Sequence, residues 1–259
     1  GILEYSSLSN ITRTIKLLCD RQKVIQTLKE IVFNKEFNSY EVKHVQELVE
    51  KHYWIFGEQY NLITSAEPDF ELALKGMIKA EMGIEEEVHI EHPDKNKEMD
   101  LYMIRQDRQG RVTENVVVEL KRPKIKLGEK ELSQVKKYMR VIKNTPRFNA
   151  GNVKWTFYLV GNEFDKSLYI PGELESHKFL GEQHLVHCQD NGLTKIYVLK
   201  WSEIFDDYSK RHDFLMEHLK LEEKLWLETH ESADDAVTAV ENNSATLPEA
   251  IIPKNQKVV

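Results

Sequence analysis

The strongest indication of the fold comes from residues 116–138, VVVELKRPKIKLGEKELSQVKKY. This stretch begins with three consecutive valines, which favour a buried β-strand that ends near Glu119 and Lys121. After a basic turn, apolar residues recur at the spacing of an amphipathic helix, namely Leu132, Val135, Met139 and Ile142. The sequence therefore predicts a strand that ends in charged side chains and leads into a helix.

A second strand, MDLYMIRQ at residues 99–106, is joined to the first through DRQGR. Turn residues between two β-rich runs predict a β-hairpin. If the turn is centred near Gly110, residues whose numbers sum to 219 or 220 face each other, which places Asp100 opposite Glu119 or Leu120. Opposed Cβ atoms lie roughly 4.5–5.5 Å apart, so two carboxylates can share one cation.

Side-chain alternation along the strand places Glu119 and Lys121 on one face. The other face carries residues that we expect in the core, namely Val116, Val118 and Leu120. A few carboxylate oxygens, with room for water and phosphate, suit Mg²⁺ or Mn²⁺ better than Zn²⁺. The competing interpretation of Asp100, Glu119 and Lys121 is a cross-strand ion pair on an exposed sheet face, with no functional role.

Gln134 and Tyr138 are four residues apart on the predicted helix, so they share one face of it. If that face turns toward the strand end, the Gln134 amide can contact phosphate or metal-bound water. A plain surface glutamine is the alternative.

Charge is distributed unevenly along the chain. The formal net charge of −7 argues against a partner that bears phosphates. Residues 121–147, in contrast, hold ten basic and two acidic residues, a local balance of +8. This composition favours phosphate binding. The candidate nucleic-acid contacts are Arg122, Lys124, Lys126, Lys130, Lys137 and Tyr138.

The whole sequence predicts an α/β protein in three parts. Residues 1–52 are predicted as an N-terminal helical segment for packing or assembly, residues 53–229 as the main domain, and residues 230–259 as a disordered, flexible acidic tail. WIFGEQY, residues 54–60, is expected to be a buried aromatic anchor.

The main domain is predicted to begin with a helix from Pro68 to about Gly83 and a weak strand at Val88–Glu91. The hairpin and the helix after it come next, followed by a strand at residues 153–161. Two further strands, HLVHCQ and LTKIYVLKW, precede a helix from about Ser202 to Leu227.

Composition also predicts the cellular compartment of the protein. Cys19 and Cys188 are the only cysteines, too few for a disulfide scaffold, which places the protein in a reducing cytoplasm. No apolar run approaches the roughly eighteen residues of a membrane span, so a membrane partner is not expected. The first residue is Gly rather than Met, which is expected of a trimmed sequence or of a module cut from a longer protein.

These features resemble a known superfamily. A strand with Asp, a strand that ends in Glu-x-Lys and a helix with Gln, in helix-strand-strand-strand-helix-strand order, look like the PD-(D/E)XK restriction-endonuclease-like core. The Pro-Asp of that name is Met99-Asp100 here. More narrowly, residues 116–138, with WIFGEQY upstream, resemble the nuclease domain of the Shedu-type anti-phage family. The resemblance covers roughly residues 49–201, and ELKRP followed by a helical QxxxY is its more specific part.

The resemblance implies a mixed central sheet flanked by helices and an endonuclease that depends on Mg²⁺ or Mn²⁺. Asp100, Glu119 and the backbone carbonyl of Leu120 would bind the metal, Lys121 would be the catalytic lysine and Gln134 a supporting helix residue. A helix acid is also implied, with Glu71 the first choice and Glu67 the alternative.

The resemblance further implies the biological setting. The substrate would be DNA, double-stranded by preference, with 5′-phosphate and 3′-hydroxyl ends left by cleavage. The protein would act in bacterial anti-phage defence as a homo-oligomer, within a larger chain or a multi-protein system.

Two other functions remain open at this point. The fold can serve as a catalytically silent nucleic-acid-binding module, with the charges retained structurally. Alternatively, residues 1–52 and 202–229 can form an oligomeric assembly module around a passive core. His184, His187 and Cys188 have a zinc-like spacing, but a strand would point the last two to opposite faces, so they are predicted as ordinary strand residues.

Overall fold

The computed structural model describes residues 8–34, 42–65, 69–82, 87, 89–93, 99–107, 109, 111–146 and 153–229. The predicted tail at residues 230–259 and the alternative acid Glu67 lie outside these residues. The chain divides into two units, one formed by residues 24–208 and the other by residues 1–23 with residues 209–259. The predicted divisions at residues 52 and 229 stay predictions.

Two sheets belong to the unit of residues 24–208. The strands are, in chain order, β1 Asn61–Ser65, β2 Leu101–Gln106, β3 Val112–Leu120, β4 Lys126–Leu127, β5 Lys154–Gly161, β6 Glu163–Phe164, β7 Leu185–Gln189 and β8 Thr194–Lys200. Six strands form one sheet in the spatial order β1-β2-β3-β5-β8-β7, and β4 pairs with β6 separately. β3, β5 and β8 are parallel neighbours, and the other pairs in this sheet are antiparallel.

Helices cover both faces of the six-stranded sheet. They are α1 Leu8–Phe33, α2 Val42–Lys51, α3 Phe70–Met82, α4 Glu129–Lys143, α5 Tyr169–His177 and α6 Trp201–Thr229. One face packs against α3, α4 and α5, and the other against the second half of α1, α2 and the start of α6. Such cover is what parallel strands require, because their crossover connections place helices on the faces. The predicted class, a central mixed sheet flanked by helices, is confirmed.

The register of the β2–β3 hairpin agrees with the sequence prediction. Leu101 pairs with Val118 and Arg105 with Glu114, so the paired numbers sum to 219. The register shifts only near the turn, between Arg105 and Gln106. Continuing the same register past Leu101 sets Asp100 level with Glu119.

The predicted strand at Val88–Glu91 is wrong within the residues that the structure describes. His89–Glu91 form no strand, and Val88 lies outside the described residues. Ile90 is buried, and its backbone N–H donates to Glu71 Oε1 at 2.9 Å instead of to a neighbouring strand. β1 comes before α3 rather than after it, so the restriction-endonuclease-like order of elements stays a prediction.

The aromatic segment before β1 matches its prediction in part. Ile55 and Tyr60 are buried, whereas Trp54 and Phe56 are only half-buried. The Phe56 ring stacks on that of Tyr158 with 6.0 Å between centroids, so the segment does anchor onto the sheet.

The unit of residues 1–23 and 209–259 has a small core in its described part. Leu18 of α1 and Leu219 of α6 are buried there, with Ile15 and Met216 packed against them. In the described part of the chain, no helix combines the length and the apolarity that a membrane span requires.

Candidate functional site

Strand β3 carries the site at its carboxyl end because alternation separates two kinds of side chain there. Val116, Val118 and Leu120 point into the core beside α1, α2 and α6. Glu119 therefore lies on the α4 side of the sheet, where the residue is only 6% exposed. A carboxylate buried to this degree requires hydrogen-bonding partners, because an unpaired charge in such surroundings is strongly unfavourable.

Lys121 and Gln134 supply the first of these partners. The Lys121 ammonium donates to Glu119 Oε1 at 2.6 Å and to Gln134 Oε1 at 2.7 Å. Gln134 Nε2 in turn donates to Glu119 Oε1 at 2.8 Å. The side chain of Lys121 is 15% exposed, so the ion pair is largely shielded from water but still accessible to it. The face of α4 that carries Gln134 and Tyr138 thus turns toward the strand end, which the sequence left open.

Tyr138 completes the set of donors around Glu119. Its hydroxyl donates to Glu119 Oε2 at 2.9 Å and accepts from Gln134 Nε2 at 2.6 Å. Burial, followed by the negative charge of Glu119, raises the pKa of Tyr138 above its ordinary value, with a smaller contribution from Asp100. The phenol therefore stays protonated and acts as a hydrogen-bond donor.

The prediction that Tyr138 contacts nucleic acid is not consistent with its position. The residue is fully buried, and its ring packs edge-on against Phe70 with 5.6 Å between centroids. Its structural role is to hold Glu119 rather than to reach a ligand.

Asp100 faces the end of β3 from the other strand of the hairpin. Its Oδ2 accepts the backbone N–H of Leu120 at 2.5 Å. The next amide, that of Lys121, donates to the Val160 carbonyl of β5 at 2.8 Å. The end of β3 is thus fixed from both sides, and the carboxylates of Asp100 and Glu119 both lie near enough to Tyr138 to act on its pKa.

Glu71 lies in the first turn of α3 and has partners of its own. Its Oε1 accepts the Ile90 amide at 2.9 Å and lies 3.2 Å from His89 Nδ1. Glu71 is next in sequence to Phe70, whose ring contacts Tyr138, so α3 borders the site. No described hydrogen bond joins Glu71 directly to Glu119, Lys121 or Gln134.

The basic residues of the predicted nucleic-acid surface fall into two groups. Lys126 forms an ion pair with Glu163 at 2.8 Å, as does Lys143, a basic residue of the same segment that was not predicted as a contact, with Asp190 at 2.5 Å. The side chains of the other group are exposed and make no hydrogen bond or ion pair with any part of the chain that the structure describes; its members are Arg122, Lys124, Lys130 and Lys137. The second group is therefore the one able to bind an external anion.

The donor set at the end of β3 is compatible with a hard divalent cation. It consists of oxygen atoms, and Mg²⁺ is commonly held by one or two carboxylates together with waters and substrate phosphates. Within the described ranges, no group of three or more His, Cys, Asp and Glu side chains is arranged to hold a metal. His187 and Cys188 lie on β7, and His184 directly precedes that strand.

Two features of the site were missed at the sequence level. One is the complete burial of Tyr138. The other is Asn162, whose Nδ2 donates to the carbonyls of Val32 at 2.9 Å and Pro123 at 3.4 Å, and so holds the loop that follows Lys121. A polar residue directly after the Gly that ends a buried strand was the available signal for Asn162.

Residues 75–159 match a family model described as Type I restriction enzyme R protein N terminus. The match spans about one third of the chain, from α3 to β5, and includes Asp100, Glu119, Lys121, Gln134 and Tyr138. No curated protein and no solved structure matches the chain significantly. This part of the chain is thus similar to a restriction-enzyme family, which is consistent with a nuclease role in defence.

Proposed function

We propose that the protein is a metal-dependent DNA endonuclease of the PD-(D/E)XK type that hydrolyses phosphodiester bonds in anti-phage defence. The observation that carries this proposal is the network of Glu119, Lys121, Gln134 and Tyr138 at the end of β3, with Asp100 across the hairpin. The restriction-enzyme match over the same residues supports it. The Shedu-type resemblance, homo-oligomer formation and membership of a larger defence system belong to the same proposal.

Asp100 and Glu119, with the Leu120 carbonyl, are the residues that would hold Mg²⁺ or Mn²⁺. When bound, such an ion polarises the phosphate and lowers the pKa of a bound water. Glu119 belongs to β3, and Asp100 directly precedes β2 and accepts the Leu120 amide of β3, so both positions are fixed at the sheet. A fixed position is what an electrostatic catalyst needs, because no reorganisation is then required during the reaction.

Lys121 contributes a fixed positive charge beside the two carboxylates. Its backbone amide is held by Val160 and its ammonium by Glu119 and Gln134, so the charge has a defined location. In that location the ammonium orients the attacking water or stabilises negative charge that develops on the phosphate. Gln134 keeps Lys121 in place by accepting one of its three N–H groups.

The exposed cations near the site bind the phosphates that flank the cleaved bond. Arg122 and Lys124 follow Lys121 directly, and Lys130 and Lys137 lie on the exposed side of α4. Their charges are not neutralised by any described residue, so they are available to phosphates. Double-stranded DNA is the substrate that we propose.

A cleavage assay with labelled duplexes tests this function. The full chain is incubated with DNA in Mg²⁺, Mn²⁺ or EDTA beside the variants Glu119→Gln and Lys121→Met. We expect cleavage only with metal, product ends that carry 5′-phosphate, and a loss of about 100-fold or more in each variant. The matched control makes the same two substitutions, Glu175→Gln and Lys178→Met, in a second Glu–Lys pair away from the site. In that pair Lys178 Nζ and Glu175 Oε2 lie 3.3 Å apart. Equal cleavage by the wild type, Glu119→Gln and Lys121→Met would contradict the assignment.

A second candidate function is a catalytically silent nucleic-acid-binding module. The observation that favours it is the complete set of donors around Glu119, which neutralises the carboxylate without a metal. Calorimetry separates the two functions. Absence of Mg²⁺ binding at millimolar concentration, together with DNA binding that survives EDTA, would favour the silent module over the nuclease.

A further inference from the structure

We propose that the loop of residues 122–126 enters the minor groove of duplex DNA beside the cleaved phosphate, where Ile125 acts as an apolar wedge between base pairs. This inference rests on the proposed function, because it uses the same site and the same substrate. It adds a residue that distorts the DNA and assigns it a position relative to the cut.

The loop combines an exposed apolar side chain with exposed basic side chains. Ile125 is 40% exposed, Arg122 and Lys124 beside it are exposed as well, and Lys126 on its other side is exposed but paired with Glu163. A single exposed isoleucine is ordinary on a protein surface. An isoleucine set among cations is different, because proteins that bind the minor groove hold the phosphates with basic side chains and insert an apolar side chain between base steps.

The loop is also held rigidly, which a wedge requires. The Ile125 amide donates to the Arg122 carbonyl at 2.8 Å and closes a tight turn that contains Pro123, whose ring restricts φ. Asn162 holds the Pro123 carbonyl from behind. On the far side, Leu127 is fully buried. A flexible loop would yield to the stacked bases, whereas these contacts hold the backbone at Ile125 in place.

The length of the loop limits the distance between the cleaved phosphate and the base step that Ile125 enters. The loop begins at Lys121, whose amide is fixed to Val160 at 2.8 Å. Four residues of even fully extended chain span at most about 14 Å. B-DNA rises about 3.4 Å per base pair. Ile125 therefore reaches a base step within about four base pairs of the phosphate at Lys121.

Fluorescence of 2-aminopurine tests the wedge, because this base brightens when it is unstacked. The full chain is mixed with duplexes that carry 2-aminopurine at successive steps around the cleavage position, in Ca²⁺ so that the DNA stays uncut. For the wild type we expect a rise of about threefold or more at one step within about four base pairs of the cut. Ile125→Ala loses most of this rise, and Ile125→Met, which keeps the apolar bulk, retains it.

Two further variants separate the wedge from other effects. Leu180→Ala is the matched control, since Leu180 is also 40% exposed, and it keeps the full signal. Ile125→Lys adds a positive charge, so it keeps DNA binding in an anisotropy assay but loses the unstacking signal.

The proposal is overturned if Ile125→Ala gives the same signal as the wild type, or if a wild type that cuts DNA unstacks no base. A wild type that opens a base step through Ile125 but never cuts in Mg²⁺ or Mn²⁺ contradicts the nuclease function and leaves the wedge standing.

Discussion

Glu119 is the residue on which the site depends. Its buried carboxylate receives hydrogen bonds from Lys121, Gln134 and Tyr138, so its charge is compensated by the chain itself. Breaking one member of a buried ion pair is unfavourable because the other charge is left alone. In the proposed function, Lys121 therefore has two roles, as the counter-ion of Glu119 and as the positive charge offered to a phosphate. A divalent cation at Glu119 must compete with the first of these roles.

The substitution Lys121→Met is expected to strengthen Mg²⁺ binding while it removes cleavage. The ammonium lies 2.6 Å from Glu119 Oε1, and its removal frees that oxygen and deletes a repelling charge. We expect affinity to rise by about tenfold, equivalent to about 1.4 kcal/mol. Isothermal calorimetry measures it, with Lys195→Met, which breaks the ion pair to Glu182, as the control. Weaker Mg²⁺ binding by Lys121→Met than by the wild type would show that the ammonium does not compete with the metal.

At the scale of elements, β3, β5 and the loop after β3 depend on a close approach at Gly161. A Cβ atom at this position would lie 2.7 Å from the Leu127 side chain, which is buried. Leu127 belongs to β4, directly after the loop that carries Ile125. The glycine is required by packing rather than by backbone conformation.

The substitution Gly161→Ala is expected to lower the free energy of unfolding by about 1–3 kcal/mol, because overpacking displaces Leu127. Gly172→Ala is the matched control, since a Cβ there meets nothing within 4 Å and the residue lies inside α5. That change is expected to stabilise by about 0.5–1 kcal/mol through helix propensity. Urea unfolding measures both, and an equal response of the two glycines would rule out the packing explanation.

The sequence predicts the hairpin and α4 well because both have strong local signals. Three valines mark β3, turn residues set its register with β2, and the four-residue spacing of Gln134 and Tyr138 places both on one face of α4. α5 was missed because Pro171 and Gly172 oppose a helix locally, and the buried side chain of Ile170 stabilises it through tertiary packing. β1, at residues 61–65, was missed because it is short and begins with a polar residue.

The site was predicted less completely than the fold around it. Same-face alternation was enough to bring Glu119 and Lys121 together. The burial of Tyr138 was not predictable, because it depends on contact with Phe70 of α3. The apolar pattern of a helix does not indicate which other element packs against that helix.

At the scale of the whole molecule, the net charge of −7 conceals a local basic surface beside the site. Some of that surface is neutralised internally, as Lys143 by Asp190 and Lys126 by Glu163. The cations whose side chains have no described partner are the ones that we propose to bind DNA, namely Arg122, Lys124, Lys130 and Lys137.

The salt dependence of DNA binding is expected to follow this division. Alanine at Arg122, Lys124, Lys130 or Lys137 reduces the slope of log affinity against log salt by about 0.9 each, because one fewer counterion is released. Lys143→Ala changes the slope less, since Asp190 already neutralises Lys143 at 2.5 Å. Anisotropy titrations across salt concentrations measure the slopes. Equal slopes for all five variants would mean that the DNA lies elsewhere.

Alkaline stability is expected to depend on Tyr158. Burial, with contributions from Tyr60 and Glu114, raises the pKa of this phenol above its ordinary value of 10.0. Above pH 10 the unfolded chain therefore loses a proton that the folded chain keeps, and the free energy of unfolding falls as pH rises. Each such group contributes at most about 1.4 kcal/mol per pH unit. Tyr158→Phe should make the fall shallower in urea unfolding between about pH 10 and pH 11.5, and an unchanged fall would contradict this.

The most direct test of the nuclease function is the single-turnover nicking rate of supercoiled plasmid in Mg²⁺ for the wild type and for Glu119→Gln. The substitution nearly preserves size but removes the charge that the site presents to a metal. We expect measurable nicking by the wild type, none in EDTA, and a rate at least about 100-fold lower for Glu119→Gln. Equal nicking rates for the two proteins, or no nicking by the wild type in either Mg²⁺ or Mn²⁺, would contradict a metal-dependent nuclease at the end of β3.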